Sequence, residues 1–199
     1  MQRGRPRKFD ESRVLNTAIS LFLRGGYEAV GVSAVCKEAG IPVQSLYNVF
    51  GDKKAFYQRV LRHFGETMSE PMVEKLNSTD CPLVALREFV EGWRCQIGKD
   101  ALGGCLFAQC YAVGSNLGAD CPEEIAHHFS TRLRRALGKV AERASLMGRL
   151  PHETDPKALA DMLFTLSFGV AVMGRSGLPK SIIERSVKQA LTLLREGLS

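Results

Sequence analysis

No uninterrupted apolar run in this 199-residue chain approaches the roughly 20 residues that span a bilayer. The first residues are basic, but no apolar signal-peptide core follows them. The expected setting is therefore the cytoplasm, with no membrane partner. No polar–apolar alternation persists, and no Asn-Gly turn separates two apolar runs, which argues against a sheet. The six cysteines, Cys36, Cys81, Cys95, Cys105, Cys110 and Cys121, form no C-x-x-C pair. No histidine spacing completes a zinc pattern either, so no metal and no cofactor is expected. A chain of this length can bury its own core and has no need of a disulfide scaffold. The thiols read as small reduced core residues, with a single redox-sensing thiol as the alternative.

What is present is an ordinary globular composition, 45% apolar and 24% charged. The net charge of +6 is unevenly placed. Residues 1–60 hold ten basic and five acidic side chains, while the remainder holds 17 and 16. An excess confined to one end points to a polyanionic partner for that end.

Helical periodicity recurs along the whole chain. It predicts about nine helices in an all-α fold, at 10–24, 32–39, 43–50, 53–76, 82–97, a segment starting near Cys105, 122–148, 155–172 and 179–197. The first places Val14, Leu15, Ala18, Ile19 and Phe22 on one stripe, with Asp10 as N-cap and Gly25-Gly26 as the stop. Pro71 is expected to kink or break the fourth, because it lacks the amide donor and clashes with the preceding turn. The first three helices are too few to make a freestanding core. They must dock on the helix that starts at Lys53. The expected division is a basic arm and helix-turn-helix domain at 1–52, then a helical ligand-binding and dimerisation domain at 53–199.

A packing helix, a short helix, a tight turn and a second short helix make a helix-turn-helix. In that motif the second helix enters the major groove. The stretch "GIPVQSLYNVF" turns Ile41 and Leu46 to the core and leaves Val43, Gln44 and Ser45 at the exposed start. Gln pairs bidentately with adenine, Ser bonds to base or phosphate, and Val touches a thymine methyl. Tyr47, Asn48 and Lys53 can reach phosphates, which set register rather than sequence. Arg3, Arg5 and Arg7 in the arm suit insertion into a minor groove.

The stretch "ISLFLRGGYEAVGVSAVCKEAGIPVQSLYNVFGDKKAFY" resembles the DNA-binding domain of TetR-family transcriptional regulators. The matching elements are Gly26-Tyr27, Ala39-Gly40-Ile41, Leu46-Tyr47 with Phe50, and Lys53. The "GRPR" arm is also common there, and "DPKALADMLFTLSFGVAVMGRSG" resembles the family's dimerisation helix. The resemblance implies a homodimer on a palindromic double-stranded DNA operator, released when a small-molecule effector binds the C-terminal domain. It matches Val43, Gln44, Ser45 and Ser33 to base-reading positions, and Tyr47, Asn48 and Lys53 to phosphate contacts. Two positions depart from the pattern. Gly31 stands where the family usually has Thr or Ser, and Val43 where a polar residue is frequent. Gly31-Val32 and Gly103–Leu106 resemble a subgroup that senses small electrophilic metabolites.

The C-terminal half supplies Trp93, Phe107, Tyr111, Phe129, Phe164 and Phe168, an apolar set of the kind that lines ligand cavities in helix bundles. Gln109, Tyr111, His127 and His128 are candidate polar anchors. Cys105 begins a helix, where the dipole should lower its thiol pKa. It is the residue on which an electrophile- or redox-sensing alternative would rest. Leu159, Leu163, Leu166, Val170, Ile183, Val187, Leu191 and Leu194 are expected to exceed what one subunit covers. A cysteine-nucleophile enzyme is disfavoured, since no signature surrounds Cys105 and no orienting group is evident. A non-specific nucleic-acid binder is disfavoured by Gln44 and Ser45.

Overall fold

A computed structural model describes residues 9–96, 104–113, 123–174, 176 and 178–195. All regular structure among them is helical. The helices are α1 (Glu11–Ala29), α2 (Val32–Ala39), α3 (Val43–Phe50), α4, α5 (Pro82–Glu91, extended by a 3-10 turn Gly92–Gln96), α6 (Leu106–Val113), α7 (Glu123–Leu146), α8 (Pro156–Met173) and α9 (Ser181–Leu193). Helix α4 comprises Lys53–Phe64, a π turn at Gly65–Ser69, and Glu70–Ser78. Asp10, Asp52 and Asp155 cap α1, α4 and α8 by accepting backbone N–H bonds. They satisfy donors that a helix start leaves unpaired.

Pro71 does not break α4. Helical backbone angles run through Phe64, Gly65, Ser69 and Glu70. The adjustment lies one turn earlier, where the Glu70 N–H bonds the Gly65 carbonyl across five residues. The wider turn absorbs the hydrogen bond that proline cannot make and relieves its clash. In α1, by contrast, Gly26 leaves the helical region (φ 78°, ψ 169°), so the regular helix stops at the Gly-Gly pair as its sequence predicts.

The buried side chains form two clusters. One joins α1 to the first half of α4 through Leu15, Phe22, Leu46, Phe56, Tyr57 and Leu61, and includes Phe107 and Cys110 of α6 and Phe129 of α7. The other joins the second half of α4 to α5, α7, α8 and α9 through Leu76, Leu86, Trp93, Leu137, Leu163 and Val187. His63 on α4 is buried and its Nε2 lies 3.0 Å from Asn16 Oδ1 of α1. Burial, and then the Arg59 charge, hold its pKa below the ordinary histidine value, against an opposing pull from Glu66.

The expected surplus of apolar surface on α8 and α9 is placed differently from the sequence reading. Leu159, Leu163, Val170, Ile183, Val187 and Leu194 are buried in the chain's own bundle, and Leu166 and Leu191 are half-buried. These side chains first fill the core against α5 and α7. The apolar surface left outside includes Val172, Leu178 and Leu193. Helix α8 is long and apolar enough to cross a membrane by length and composition, although it carries Lys157 and Asp161.

Helix α7 approaches the backbone of α4 closely at Gly65. A Cβ built there would collide with the Phe129 ring. Gly65→Ala gains about 0.5–1 kcal/mol of helix propensity, but overpacking against a buried ring costs about 1–3 kcal/mol. The expected result is a net loss near 1 kcal/mol in denaturant unfolding. Gly138→Ala, in α7 with nothing within 4 Å of the added Cβ, should show the propensity gain alone.

Candidate nucleic-acid interface and effector cavity

Helix α2 ends at Gly40, whose left-handed backbone (φ 70°, ψ 34°) reverses the chain, and the Ile41 N–H closes the turn on the Cys36 carbonyl at 3.0 Å. Glycine adopts this conformation without the penalty a Cβ brings. The turn fixes α3, whose single buried residue is Leu46, fully enclosed. Burying one leucine is worth about 1.5–3 kcal/mol, with Ile41 and Phe50 half-buried beside it. Phe50 in turn meets Phe9 at 6.2 Å and Phe56 at 5.1 Å. The chain therefore enters α1 beside the end of α3. Arg3, Arg5 and Arg7 lie outside the described residues.

The outer face of α3 carries Val43, Gln44, Tyr47 and Asn48, all exposed, while Ser45 is half-buried. Ser33 is exposed at the start of α2. The Gln44 amide donates to Asn48 Oδ1 at 3.0 Å. Asn48 therefore holds the Gln44 side chain in place, leaving Gln44 its carbonyl acceptor and its second N–H. That remaining pair has the pattern that matches an adenine edge. Lys53 Nζ donates to the Glu28 carbonyl at 3.4 Å and lies 4.5 Å from the Tyr27 ring centroid. Its ammonium is tied to the end of α1, and keeps further N–H donors for a phosphate.

A cavity of about 190 Å³ lies at the seam of the two clusters. Phe64, Met68, Ser69 and Met72 of α4 form one wall, and Phe89, Gly92 and Trp93 of α5 and its 3-10 turn a second. Cys105 and Phe107 at α6, Phe129, Ser130 and Leu133 of α7, and Ser167, Phe168 and Ala171 of α8 complete it. Phe107 stacks on Phe129 (5.4 Å, 8°) and meets Phe64 edge-on at 5.1 Å. Of the sequence candidates, Trp93, Cys105, Phe107, Phe129 and Phe168 line this cavity. Tyr111 and Phe164 line instead a more open groove of about 400 Å³ that Phe168 and Ser130 share.

The expected polar anchors are replaced. Gln109 donates to the Leu23 carbonyl at 3.1 Å, serving the end of α1 rather than the cavity. His127 and His128 are exposed. The residues on the cavity wall include Trp93, whose Nε1 is buried without a hydrogen-bond partner, and Ser130, whose buried hydroxyl lies against the Tyr111 phenol. A buried group left unpaired costs about 1–3 kcal/mol. Neither arrangement was legible in sequence, because periodicity marks both positions only as core. The Tyr111 phenol is pushed up from its ordinary value by burial, and its contact with the Ser130 hydroxyl acts in the opposite direction. The Cys105 thiol is also pushed up, by burial, and the backbone N–H bonds from Ala108 and Phe107 do not compensate. The helix-start argument for a lowered pKa is overturned there, since desolvation of a thiolate outweighs two N–H dipoles.

These features define a helix-turn-helix DNA-binding protein with a cavity in its helical body. The family profile described as "Bacterial regulatory proteins, tetR family" matches residues 14–60. The chain is 30% identical over 167 residues to the uncharacterized HTH-type transcriptional regulator YezE of Bacillus subtilis (strain 168), covering 80% of this chain and 83% of that protein. It is 25% identical over 199 residues to the HTH-type transcriptional repressor ComR of Escherichia coli (strain K12), covering 97% and 91%. Its fold matches that of a cysteine mutant of the TetR family transcriptional regulator CifR complexed with 26bp double-strand operator DNA (TM-score 0.75, 24% identity, 94% and 98% covered). It also matches the reduced form of E. coli NemR (TM-score 0.80, 20% identity, 96% and 100% covered). The chain belongs to the TetR family of bacterial regulatory proteins and is a DNA-binding transcriptional regulator.

Gly31 caps α2 with extended backbone (φ −81°, ψ 150°) and no side-chain bond. A Cβ there meets only Ser33 Oγ, at 3.5 Å. Gly31→Ser should raise stability by about 0.5–1 kcal/mol through the cap and the stiffer unfolded chain. It should also tighten duplex binding equally for all sequences, since a phosphate contact carries no base information. Thermal unfolding and titrations of two unrelated duplexes check both halves.

Proposed function

We propose that the protein is a repressor that holds a palindromic operator as a homodimer and is released by a small molecule seated in the seam cavity. In this reading residues 1–52 contact DNA and residues 53–199 carry the effector and dimer surfaces. The carrying observation is α3: one buried leucine, a left-handed glycine before it, and an outer face of Val43, Gln44, Tyr47 and Asn48. Gln44 and Val43 read bases, with Ser45 and Ser33 at the edges of the contact. Tyr47, Lys53 and the arm arginines hold backbone phosphates. The DNA-reading role sets the cytoplasm as the place of action.

The dimer is supported by α8, which is apolar almost all round yet has only 28% of its residues buried within the subunit. Val172, Leu178 and Leu193 add to the same demand for a second copy. The two recognition helices must sit about one helical turn apart, near 34–36 Å, to meet successive major grooves. A ligand changes operator affinity only if it binds two spacings unequally. Two links connect the cavity to that spacing. Helix α4 runs from Lys53 at the DNA face to Met72 at the cavity. Helix α6 carries Phe107 in the wall, Gln109 on the Leu23 carbonyl, and Cys110 Sγ 3.7 Å from the Tyr57 hydroxyl.

Covalent sensing at Cys105 is the second reading, supported by its place in the cavity wall. Its raised pKa keeps the thiol protonated and disfavours it as the nucleophile. The test of the main reading is selection of an operator from random duplexes, followed by Gln44→Ala. The variant should lose about 1–3 kcal/mol of discrimination at one base pair of each half-site, with binding to unrelated duplexes unchanged. Unaltered sequence preference would remove Gln44 from base reading and the placement of α3 with it.

A further inference from the structure

We infer that the seam cavity takes an uncharged arene of about one ring that carries no hydrogen-bonding group and is held by ring and sulfur contacts. This rests on the effector reading above and specifies its chemistry. Size sets the first limit. The cavity of about 190 Å³ is only somewhat larger than the roughly 150 Å³ that accepts benzene in a dry apolar site. Charge sets the second. None of the described residues lining the cavity is ionised in its ordinary state, so an ion moved there would lose its hydration without a counter-charge.

The polar groups of the wall set the third, because they are engaged or enclosed. The Ser167 hydroxyl donates to the Phe164 carbonyl at 2.6 Å. The Cys105 thiol takes backbone N–H bonds from Ala108 and Phe107. The Ser130 hydroxyl lies against the Tyr111 phenol, and neither it nor Trp93 Nε1 has surface open to a guest. The remaining hydroxyl is that of Ser69 at the end of the π turn, a residue 9% exposed. A guest with its own donor or acceptor gives up its bonds to water and has little to replace them. What the wall offers instead is six aromatic side chains and the sulfurs of Met68, Met72 and Cys105. Phe89 and Trp93 meet edge-on at 5.8 Å, and Phe107 stacks on Phe129. Such a lining favours one more ring, packed edge to face on the aromatics and edge-on to sulfur.

Trp93 is the chain's only tryptophan and it lines the cavity. Its fluorescence therefore reports a guest in the full-length protein. Bromobenzene is the probe, since its heavy atom quenches indole emission on contact. The quenching should saturate, and toluene should relieve it in competition. Phenol is close to toluene in size but would bury an unpaired hydroxyl, so it should compete at least about tenfold more weakly. Benzoate and benzylammonium should not compete. Phenol competing as well as toluene, displacement by either ion, or quenching that never saturates would overturn the inference. Operator titration in parallel separates the two readings. Saturable arene binding that leaves operator affinity unchanged supports the site chemistry and overturns its role as an effector site. Operator release by phenol or by either ion, with none by toluene, keeps the effector role and overturns the chemistry.

Discussion

The bare Cα of Gly65 lets α7 lay Phe129 directly on the backbone of α4, and the rest of the architecture is arranged around that contact. Phe129 stacks on Phe107, and Phe107 meets Phe64 edge-on. Helices α4, α6 and α7 are thereby tied together within the first hydrophobic cluster, on the side that borders the cavity. Aromatic pairs of this kind add about 0.5–1.5 kcal/mol beyond their buried area, which is enough to matter in a fold of marginal stability. The same three residues wall the cavity, facing Phe89, Trp93 and Leu133 of the second cluster across it.

That junction also determines how a guest would be felt elsewhere. The π turn at Gly65–Ser69 sits in the cavity wall, and it is the one place where α4 departs from regular helix. Helix α6 is short, yet it touches the cavity with Phe107, the Tyr57 hydroxyl with Cys110, and the Leu23 carbonyl with Gln109. The Leu23 carbonyl lies at the end of α1, where Gly26 has ended the regular ladder. Helix ends leave carbonyls in need of partners, and here the partner comes from the cavity-lining helix. On the proposed reading, coupling between effector and DNA passes through these contacts rather than through a continuous rod alone.

The polar chemistry of the cavity came out differently from expectation, and the reasons are physical. His127, His128 and Gln109 are the obvious hydrogen-bonding residues in the sequence, and all three turn elsewhere. Trp93 and Ser130 look like ordinary core positions, yet the indole Nε1 stays unpaired and the Ser130 hydroxyl lies against the Tyr111 phenol. The thiol of Cys105 shows the same lesson with the opposite sign. Its position at a helix start predicts activation, but the apolar wall that surrounds it removes water and favours the neutral form.

By itself the sequence determined the helix order, most helix limits, and the recognition surface of α3. Those features depend on neighbours within a few residues: Asp10 and Asp52 as caps, Gly26 and Gly40 as stops, Leu46 inward with Gln44 outward. It also carried five of the seven aromatic and thiol residues chosen for the ligand site into one cavity, because large apolar side chains on several helices converge on a bundle core. Tertiary structure alone decided the rest. Whether Pro71 breaks α4, which leucines of α8 and α9 remain outside, whether Gln44 is held by Asn48, and which polar atoms stay unpaired all depend on distances between segments far apart in the chain. Periodicity states that a side chain is buried, but only the packing of the other helices states against what, and that is where the cavity acquires its chemistry.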